Sequence, residues 1–202
     1  ADVVKPGLGQ MRRCRMADLL IELVGEEIPA GMQTMAAQHF ATATKTALDD
    51  LGVWTDAASI DGLCGPRHLA VYARGIAVSQ PDLMIEKRGP RVDAPEAAIA
   101  GFMTSAGVPR EALSEEDTPK GRFFFARTHI TGAETKSLLG DVVKSILTEF
   151  PWPKSQRWGR GSFRWVRPLH RINILFDGDA LAGSFDLGGS DALTFGVTSC
   201  GH

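Results

Sequence analysis

Apolar residues recur at intervals of three and four along three stretches of the chain, which is the spacing of one face of an α-helix. The first stretch ends before Gly52, the second before Gly107, and the third before Pro151. Glycine and proline at these places are common signals for the end of a helix. The pattern therefore predicts helices over residues 31–51, 95–106 and 138–150.

Shorter apolar runs, rich in β-branched and aromatic residues and bounded by turn residues, indicate strands. The first run, DLLIELV, precedes the first helix, and Gly65-Pro66 separates the next two runs. Asp177-Gly178 lies between two later runs and is a strong signal for a two-residue β-hairpin. The predicted strands cover residues 18–24, 57–63, 69–78, 122–130, 169–176, 180–187 and 192–198.

The predicted order is β-α-β-β-α-β-α-β-β-β, and its first six elements match the split βαβ order of ferredoxin-like folds. Residues 80–94 are polar and contain Pro81, Gly89 and Pro90, so we expect a loop there. The sequence thus predicts an α+β fold with a mainly antiparallel sheet and packed helices, followed by a C-terminal β-rich segment. We expect residues 1–15 to be an extension or a cloning remnant, 16–150 an α+β domain, and 151–202 a basic connector with the β-rich segment.

Composition narrows the class of protein only a little. The chain has 202 residues, a formal net charge of −2 and three cysteines. This length allows a core without disulfide staples, and the few, irregularly spaced cysteines favour an intracellular setting. Because the net charge is close to zero, it does not indicate a class of binding partner. Electrostatic arguments must therefore rest on individual charged segments. No apolar run approaches the roughly 20 residues that span a bilayer, so we expect no membrane contact.

Residues 150–176 form the most informative segment because they contain basic and aromatic residues and no acidic residue. Arginine binds phosphate oxygens through a planar fork, and aromatic rings offer stacking surfaces to unpaired bases. The same composition also suits structural packing, in which arginine stems cover aromatic rings, or binding of another anion. The candidate RNA-binding residues are Lys154, Arg157, Trp158, Arg160, Arg164, Trp165, Arg167 and Arg171.

Arg67, Arg88 and Arg91 are secondary basic points, and the alternative for each is a solvated surface charge. Standard enzyme motifs for phosphate binding, zinc proteolysis and serine hydrolysis are absent from the sequence. Glu26-Glu27 suits acid–base chemistry or, more commonly, the start of a helix. Cys64 with His68, and Cys200 with His202, do not have the spacing of structural zinc sites. We therefore expect no catalytic residue and no metal site.

Six segments, taken in order, resemble the beta subunit of the bacterial two-subunit glycyl-tRNA synthetase. They are MADLLIELVGEEIPA (16–30), CGPRHLAVYARGIA (64–77), EKRGPRV (86–92), FPWPKSQRWG (150–159), FRWVRPLHRINILF (163–176) and TSCGH (198–202). Each match is weak alone, but six in order make a specific signal. The chain departs from the family pattern where a threonine is missing before Glu26, and at Gly65, His68, Gln156 and Cys200.

The resemblance implies that this is the N-terminal portion of a longer, cytoplasmic chain. Family members continue into an HD-like domain and an anticodon-binding domain. A separate alpha subunit holds the catalytic core that activates glycine with ATP and magnesium, and the two subunits form a heterotetramer. The implied partners are the alpha subunit, tRNA for glycine and the remaining beta-subunit domains, and this portion is expected to need no cofactor.

Three hypotheses follow for the chain itself. It is an RNA-handling module of a ligase complex, if the basic segment contacts tRNA. It is a protein-interaction scaffold, if the aromatic residues and proline turns pack against the alpha subunit or later domains. An independent small enzyme would have to use Glu26, Glu27, Cys64 and the histidines, and no spacing supports that reading.

Overall fold

The computed structural model describes residues 3–6, 15–119, 121–157, 163–185 and 193–195. The helices are α1 (Ala30–Asp50), α2 (Glu96–Ala106) and α3 (Thr135–Glu149), with a short 3-10 turn at Arg110–Ala112. The strands are β1 (Val3–Pro6), β2 (Met16–Gly25), β3 (Ser59–Cys64), β4 (His68–Ala77), β5 (Leu83–Arg91), β6 (Leu113–Thr118), β7 (Gly121–Ile130), β8 (Gln156–Arg157), β9 (Arg164–Trp165), β10 (Leu169–Phe176), β11 (Asp179–Ala180), β12 (Gly183–Phe185) and β13 (Leu193–Phe195).

Contacts divide the chain into two compact units. The core unit consists of residues 13–80 and 133–202, and the insert unit consists of residues 1–12 and 81–132. The chain thus leaves the core unit after Gln80 and returns to it at Ala133. The sequence did not indicate this division. Hydrophobic periodicity predicts where each helix or strand lies in the chain, but it does not predict which of them pack together.

The core unit is built on a sheet with the strand order β12-β13-β10-β2-β4-β3. β2 pairs antiparallel with both β4 and β10, and β3 pairs antiparallel with β4. With α1 after β2 and α3 before β10, this is the split βαβ arrangement of ferredoxin-like folds. The predicted α+β class and mainly antiparallel sheet are confirmed.

One part of the predicted topology was wrong. The sequence assigned the second helix and the last strand of the split βαβ arrangement to residues 95–106 and 122–130. Those residues form α2 and β7 in the insert unit, where β7 pairs with β5 and β6. The second half of the arrangement is built instead by α3 and β10. The element order fits both assignments, and only the strand pairing separates them.

Residues 80–94 were predicted to form a loop, but Leu83–Arg91 is strand β5. The register of β5 on β7 shifts between Arg88 and Arg91, so Gly89 and Pro90 lie at a β-bulge, where both residue types are tolerated. Gly89 also allows α2 to pack closely, because a Cβ at this position would lie 2.5 Å from the ring of Phe102.

Alternation of side chains on the strands places the core between the sheet and the two helices of the core unit. β2 buries Ala17, Leu19, Ile21 and Leu23, and the residues between them lie on the opposite face. α1 buries residues at intervals of four, and α3 has the broad apolar face that the sequence predicted. The buried residues of these helices are Ala36, Phe40, Thr44, Leu48, Thr135, Leu139, Val142, Val143, Ile146 and Leu147.

The turn from β10 to β11 has the predicted hairpin chemistry. Asp177 and Gly178 have φ values of 56° and 81°, and Leu175 and Phe176 pair with Ala180 and Asp179. Positive φ at both central residues is the geometry that favours Asp-Gly in a two-residue hairpin.

Gly62 is the point at which α1 lies against β3, and we predict that Gly62→Ala destabilises the core unit. A Cβ at Gly62 would lie 2.2 Å from the carbonyl oxygen of Ala37, and neither backbone can move without shifting the helix or the sheet. Overpacking of this kind costs about 1–3 kcal/mol. Thermal unfolding followed by tryptophan fluorescence would measure the loss, since Trp54, Trp152 and Trp165 belong to the core unit.

Gly31→Ala is the matched control for this substitution. Gly31 lies in the first turn of α1, and a Cβ there would meet no atom within 4 Å. Alanine has the higher helix propensity, so we expect unchanged or slightly raised stability. Equal destabilisation by the two substitutions would contradict the close approach of α1 to β3.

Candidate functional site

Three segments that carry the resemblance meet at one end of the core sheet. Because β2 pairs antiparallel with β4 and β10, the end of β2 lies beside the beginnings of both neighbours: Val24 is opposite His68, and Gly25 is opposite Leu169. The residues that follow β2 therefore contact the turn before β4 and the segment before β10.

Backbone hydrogen bonds fix these segments to one another. The amide nitrogen of Gly25 donates to the carbonyl oxygen of Arg67 (3.0 Å), and that of Glu26 donates to Pro168 (3.1 Å). The amide of Ile28 donates to the carbonyl oxygen of Pro66 (2.6 Å). Gly25 is required for the close approach, because a Cβ at this position would lie 2.7 Å from the carbonyl oxygen of Pro168.

An open cleft of about 370 Å³ lies over this junction, which we call the sheet-end cleft. The cleft combines two guanidinium groups and an imidazole with two carboxylates, and these charged and ionisable side chains are exposed. The residues that line it are Gly25, Glu26, Glu27, Arg67, Arg167 and His170.

The charged groups of the cleft are not paired with one another. Nη1 of Arg167 donates to the adjacent carbonyl oxygen of Val166 (3.1 Å). Within the part of the chain that the structure describes, the side chains of Arg67, Glu26 and Glu27 make no hydrogen bond or ion pair. The side chains of Arg67, Glu26 and Glu27 can therefore contact a ligand without first breaking an internal hydrogen bond or ion pair.

Trp165, a predicted RNA-stacking residue, lies beneath the cleft and not on its surface. The side chain is 2% exposed, and its ring contacts those of Phe150 (5.0 Å between centroids), Trp152 (5.1 Å) and Phe163 (5.9 Å). Trp152 is 8% exposed and stacks on Phe150 at 4.6 Å. Neither tryptophan presents a face on which a base could stack, so both act in packing.

The basic residues of the same segment lie on the surface. β8 and β9 form a short antiparallel hairpin in which Arg157 is directly opposite Arg164, and Lys154, Arg157 and Arg164 are all exposed. Arg164 donates from Nη2 to the carbonyl oxygen of Ser155 (2.7 Å) and from Nε to its Oγ (3.2 Å). We call Lys154, Arg157 and Arg164 the basic hairpin.

The remaining candidates lie in different places. Arg67 joins Arg167 in the sheet-end cleft, and Arg171 is half-buried on β10. Arg88 and Arg91 belong to the insert unit, where their guanidinium carbons lie 3.8 Å and 5.7 Å from the ring centroid of Phe123. Trp158 and Arg160 lie outside the described residues, as do Cys200 and His202.

Sequence analysis did not group Glu26, Glu27 and His170 with the arginines. Glu26 and Glu27 were treated as a possible helix start, and His170 was not singled out. The signal that could have grouped them was the resemblance itself, since GEEIP, CGPRH and VRPLH each contribute residues to the cleft.

Cys64 does not line the cleft, and its environment makes it a poor nucleophile. Burial raises the pKa of the Cys64 thiol above its ordinary value, so the reactive thiolate is less populated at neutral pH. No group of three or more potential metal ligands occurs among the described residues. None of the described helices is both long and apolar enough to cross a membrane.

Comparison with known proteins identifies the family. A family model described as glycyl-tRNA synthetase beta subunit matches residues 19–202. The glycine–tRNA ligase beta subunits of Ruegeria sp. (strain TM1040) and Paracoccus denitrificans (strain Pd 1222) are each 40% identical over 187 residues, which is 93% of this chain and 27% of theirs. That of Rhodospirillum centenum is 41% identical over 174 residues, 86% of this chain and 24% of its own. The chain therefore belongs to the glycyl-tRNA synthetase beta subunit family, and it spans about a quarter of the length of these relatives.

The burial of Trp165 leads to a prediction that distinguishes two roles for this side chain, packing in the core and stacking on a base. Trp165→Ala should lower the free energy of unfolding by about 3–5 kcal/mol, because it opens a cavity under the sheet-end cleft. Chemical denaturation followed by far-UV circular dichroism would measure this loss.

Arg164→Ala is the control, since this neighbouring side chain is exposed and its removal should change stability by less than about 0.5 kcal/mol. If Trp165→Ala left stability unchanged, the core position of this ring would be contradicted.

Proposed function

We propose that this chain is the N-terminal part of a glycine–tRNA ligase beta subunit, where it supports tRNA recognition and assembly of the enzyme without carrying the chemistry itself. The family membership supports the ligase assignment. In this proposal, the alpha subunit activates glycine with ATP and magnesium, and the remaining beta-subunit domains complete the complex in the cytoplasm.

The observation that carries the RNA-binding part of the proposal is the basic hairpin. Arg157 and Arg164 face each other across an antiparallel pair, and like charges in this position repel. The structure describes no ion pair between either side chain and a carboxylate. A bound phosphate would relieve the repulsion, because one anion can accept hydrogen bonds from both guanidinium groups.

We therefore predict that the chain binds tRNA with a steep dependence on salt. If about four phosphates are neutralised, the slope of log K against log salt concentration should be about −3. The double substitution Arg157→Glu, Arg164→Glu should weaken binding and flatten this slope. Fluorescence anisotropy with labelled tRNA at several salt concentrations would measure both quantities.

The matched control is the double substitution Lys45→Glu, Lys144→Glu, which changes the net charge by the same amount at exposed positions on α1 and α3. We expect a smaller change of affinity in this variant. Equal losses in the two double variants would mean that overall charge, and not the hairpin, governs binding.

A second candidate function is a scaffold that docks the alpha subunit or later beta-subunit domains. The observation that favours it is the face of the core sheet that lies opposite the helices. Leu63 on β3 is 57% exposed on this face. Its cross-strand partner is Ala70 of β4, and Ala70 in turn lies opposite Glu22 of β2. Leu20 and Val24 lie on the same face of β2 and are only half-buried. Contiguous apolar surface of this kind marks protein interfaces when it extends over several neighbouring side chains, and Leu63, Leu20 and Val24 are the residues from which we infer it here.

The scaffold function predicts that Leu63→Ser weakens co-purification with the alpha subunit while tRNA affinity stays unchanged. Surface substitution of this kind should alter stability by less than about 0.5 kcal/mol, so the effect is separable from misfolding. Ser59→Asn, on the same face of the edge strand β3, is the control and should retain the alpha subunit. Full retention of the alpha subunit by the Leu63→Ser variant would count against this face as its docking site.

A further inference from the structure

The sheet-end cleft combines features that its position in the fold does not require. Arg67 and Arg167 come from two separate segments, and both guanidinium groups are exposed without a carboxylate partner among the described residues. Glu26 and Glu27 line the same cleft, and neither carboxylate pairs with the arginines. Unpaired groups of opposite charge in one concavity suit a ligand that carries both an anionic group and hydrogen-bond donors.

The cleft is also preformed. Its backbone is held by the hydrogen bonds from Gly25, Glu26 and Ile28, and its floor rests on buried residues of the core. Leu23, Trp165 and Leu169, which lie beneath it, are all at most 3% exposed. A rigid base of this kind lowers the entropic cost of binding, because only the charged side chains need to become ordered.

The charge pattern limits the class of ligand. A guanidinium fork binds phosphate oxygens with two parallel hydrogen bonds, whereas a carboxylate accepts hydrogen bonds from ribose hydroxyls. A bare polyanion would be repelled by Glu26 and Glu27, and a simple cation would be repelled by Arg67 and Arg167. The volume of about 370 Å³ lies within the range of small-molecule sites.

We propose that the sheet-end cleft binds a single ribonucleotide unit, with its phosphate on Arg67 and Arg167 and its ribose hydroxyls on Glu26 and Glu27. His170 lines the same cleft. The ligand is defined by this shared chemistry, whether it is a free nucleotide or a unit of an RNA chain. The ribonucleotide site goes beyond the proposed function. The proposed tRNA binding depends on the basic hairpin, whereas the ribonucleotide site depends on the residues of the sheet-end cleft.

The test uses the 202-residue chain, labelled with nitrogen-15 and titrated separately with adenosine 5′-monophosphate, its 2′-deoxy analogue, inorganic phosphate and glycine. The expected result is that the ribonucleotide shifts the backbone amides of residues 25–28, 67 and 169–170. The deoxynucleotide and phosphate should bind several-fold more weakly, and glycine should not shift these amides.

Two double variants assign the roles. Arg67→Gln with Arg167→Gln should weaken ribonucleotide binding about tenfold or more, because two charge-assisted contacts are lost. Glu26→Ala with Glu27→Ala should reduce the preference for the ribonucleotide over the deoxynucleotide. Lys45→Gln with Lys144→Gln carries the same charge change as the arginine variant and should bind normally.

Equal affinities for ribonucleotide, deoxynucleotide and phosphate would overturn the assignment, and so would ribonucleotide binding that survives loss of both arginines. Amide shifts caused by glycine alone would also overturn it, in favour of an amino-acid site. Arg67→Lys is the control for misfolding, because it keeps the positive charge and the backbone hydrogen bonds and removes only the guanidinium group. We expect this variant to bind the ribonucleotide with intermediate affinity.

The free-nucleotide and RNA sources are distinguished by a short oligoribonucleotide, which binds more tightly than the mononucleotide if the natural ligand is a unit of RNA. Failure of the proposed function is seen in a different assay. Loss of salt-dependent tRNA binding in the hairpin variant concerns the basic hairpin alone, and mononucleotide shifts in the cleft are measured without tRNA.

Discussion

The pairing of β2 between β4 and β10 is the constraint on which the rest of the core unit depends. Residue 173 pairs with residue 22, so two segments about 150 positions apart in sequence become neighbours in one sheet. This long-range pairing places alternate residues of β2 against the helices. It also brings the residues after β2 to the beginnings of both neighbouring strands, and the backbone bonds from Gly25, Glu26 and Ile28 follow from that position.

In the part of the chain that the structure describes, carboxylates pair with Arg122 and Arg127 on strand β7 of the insert unit, but not with the arginines of the basic hairpin or of the sheet-end cleft. In the insert unit, Arg127 contacts Glu86 (2.9 Å) and Glu116, and these carboxylates raise the pKa of Arg127. Arg122 contacts Glu115 at 2.8 Å, so the acidic strand β6 is matched by basic residues on β7. The basic hairpin and the sheet-end cleft lack such matching among the described residues. Cross-strand pairing accounts for Arg122 and Arg127 of the insert unit, whereas Arg157, Arg164, Arg67 and Arg167 have no carboxylate partner among the described residues.

Most helices and strands of the core unit could be predicted from the sequence, because each long amphipathic helix and each alternating strand has its own hydrophobic periodicity. Leu169–Phe176 and the Asp177-Gly178 turn were predicted as the structure has them. The assignment of α2 and β7 to the main sheet failed because strand pairing depends on contacts far apart in sequence. Strand β6, with the sequence LSEEDT, carries no apolar alternation and is held by cross-strand ion pairs that only the register reveals.

Composition could not choose between RNA contact and packing for residues 150–176, because exposed basic residues and buried aromatic residues alternate within the segment. Successive residues of β9 point in opposite directions, so Arg164 is exposed where Trp165 is buried. The tryptophan fixes the strand to the core, and the strand then holds the arginine opposite Arg157. Arg167, two residues after Trp165, lines the sheet-end cleft. The aromatic residues therefore act on any RNA ligand indirectly, by fixing the backbone from which the arginines project.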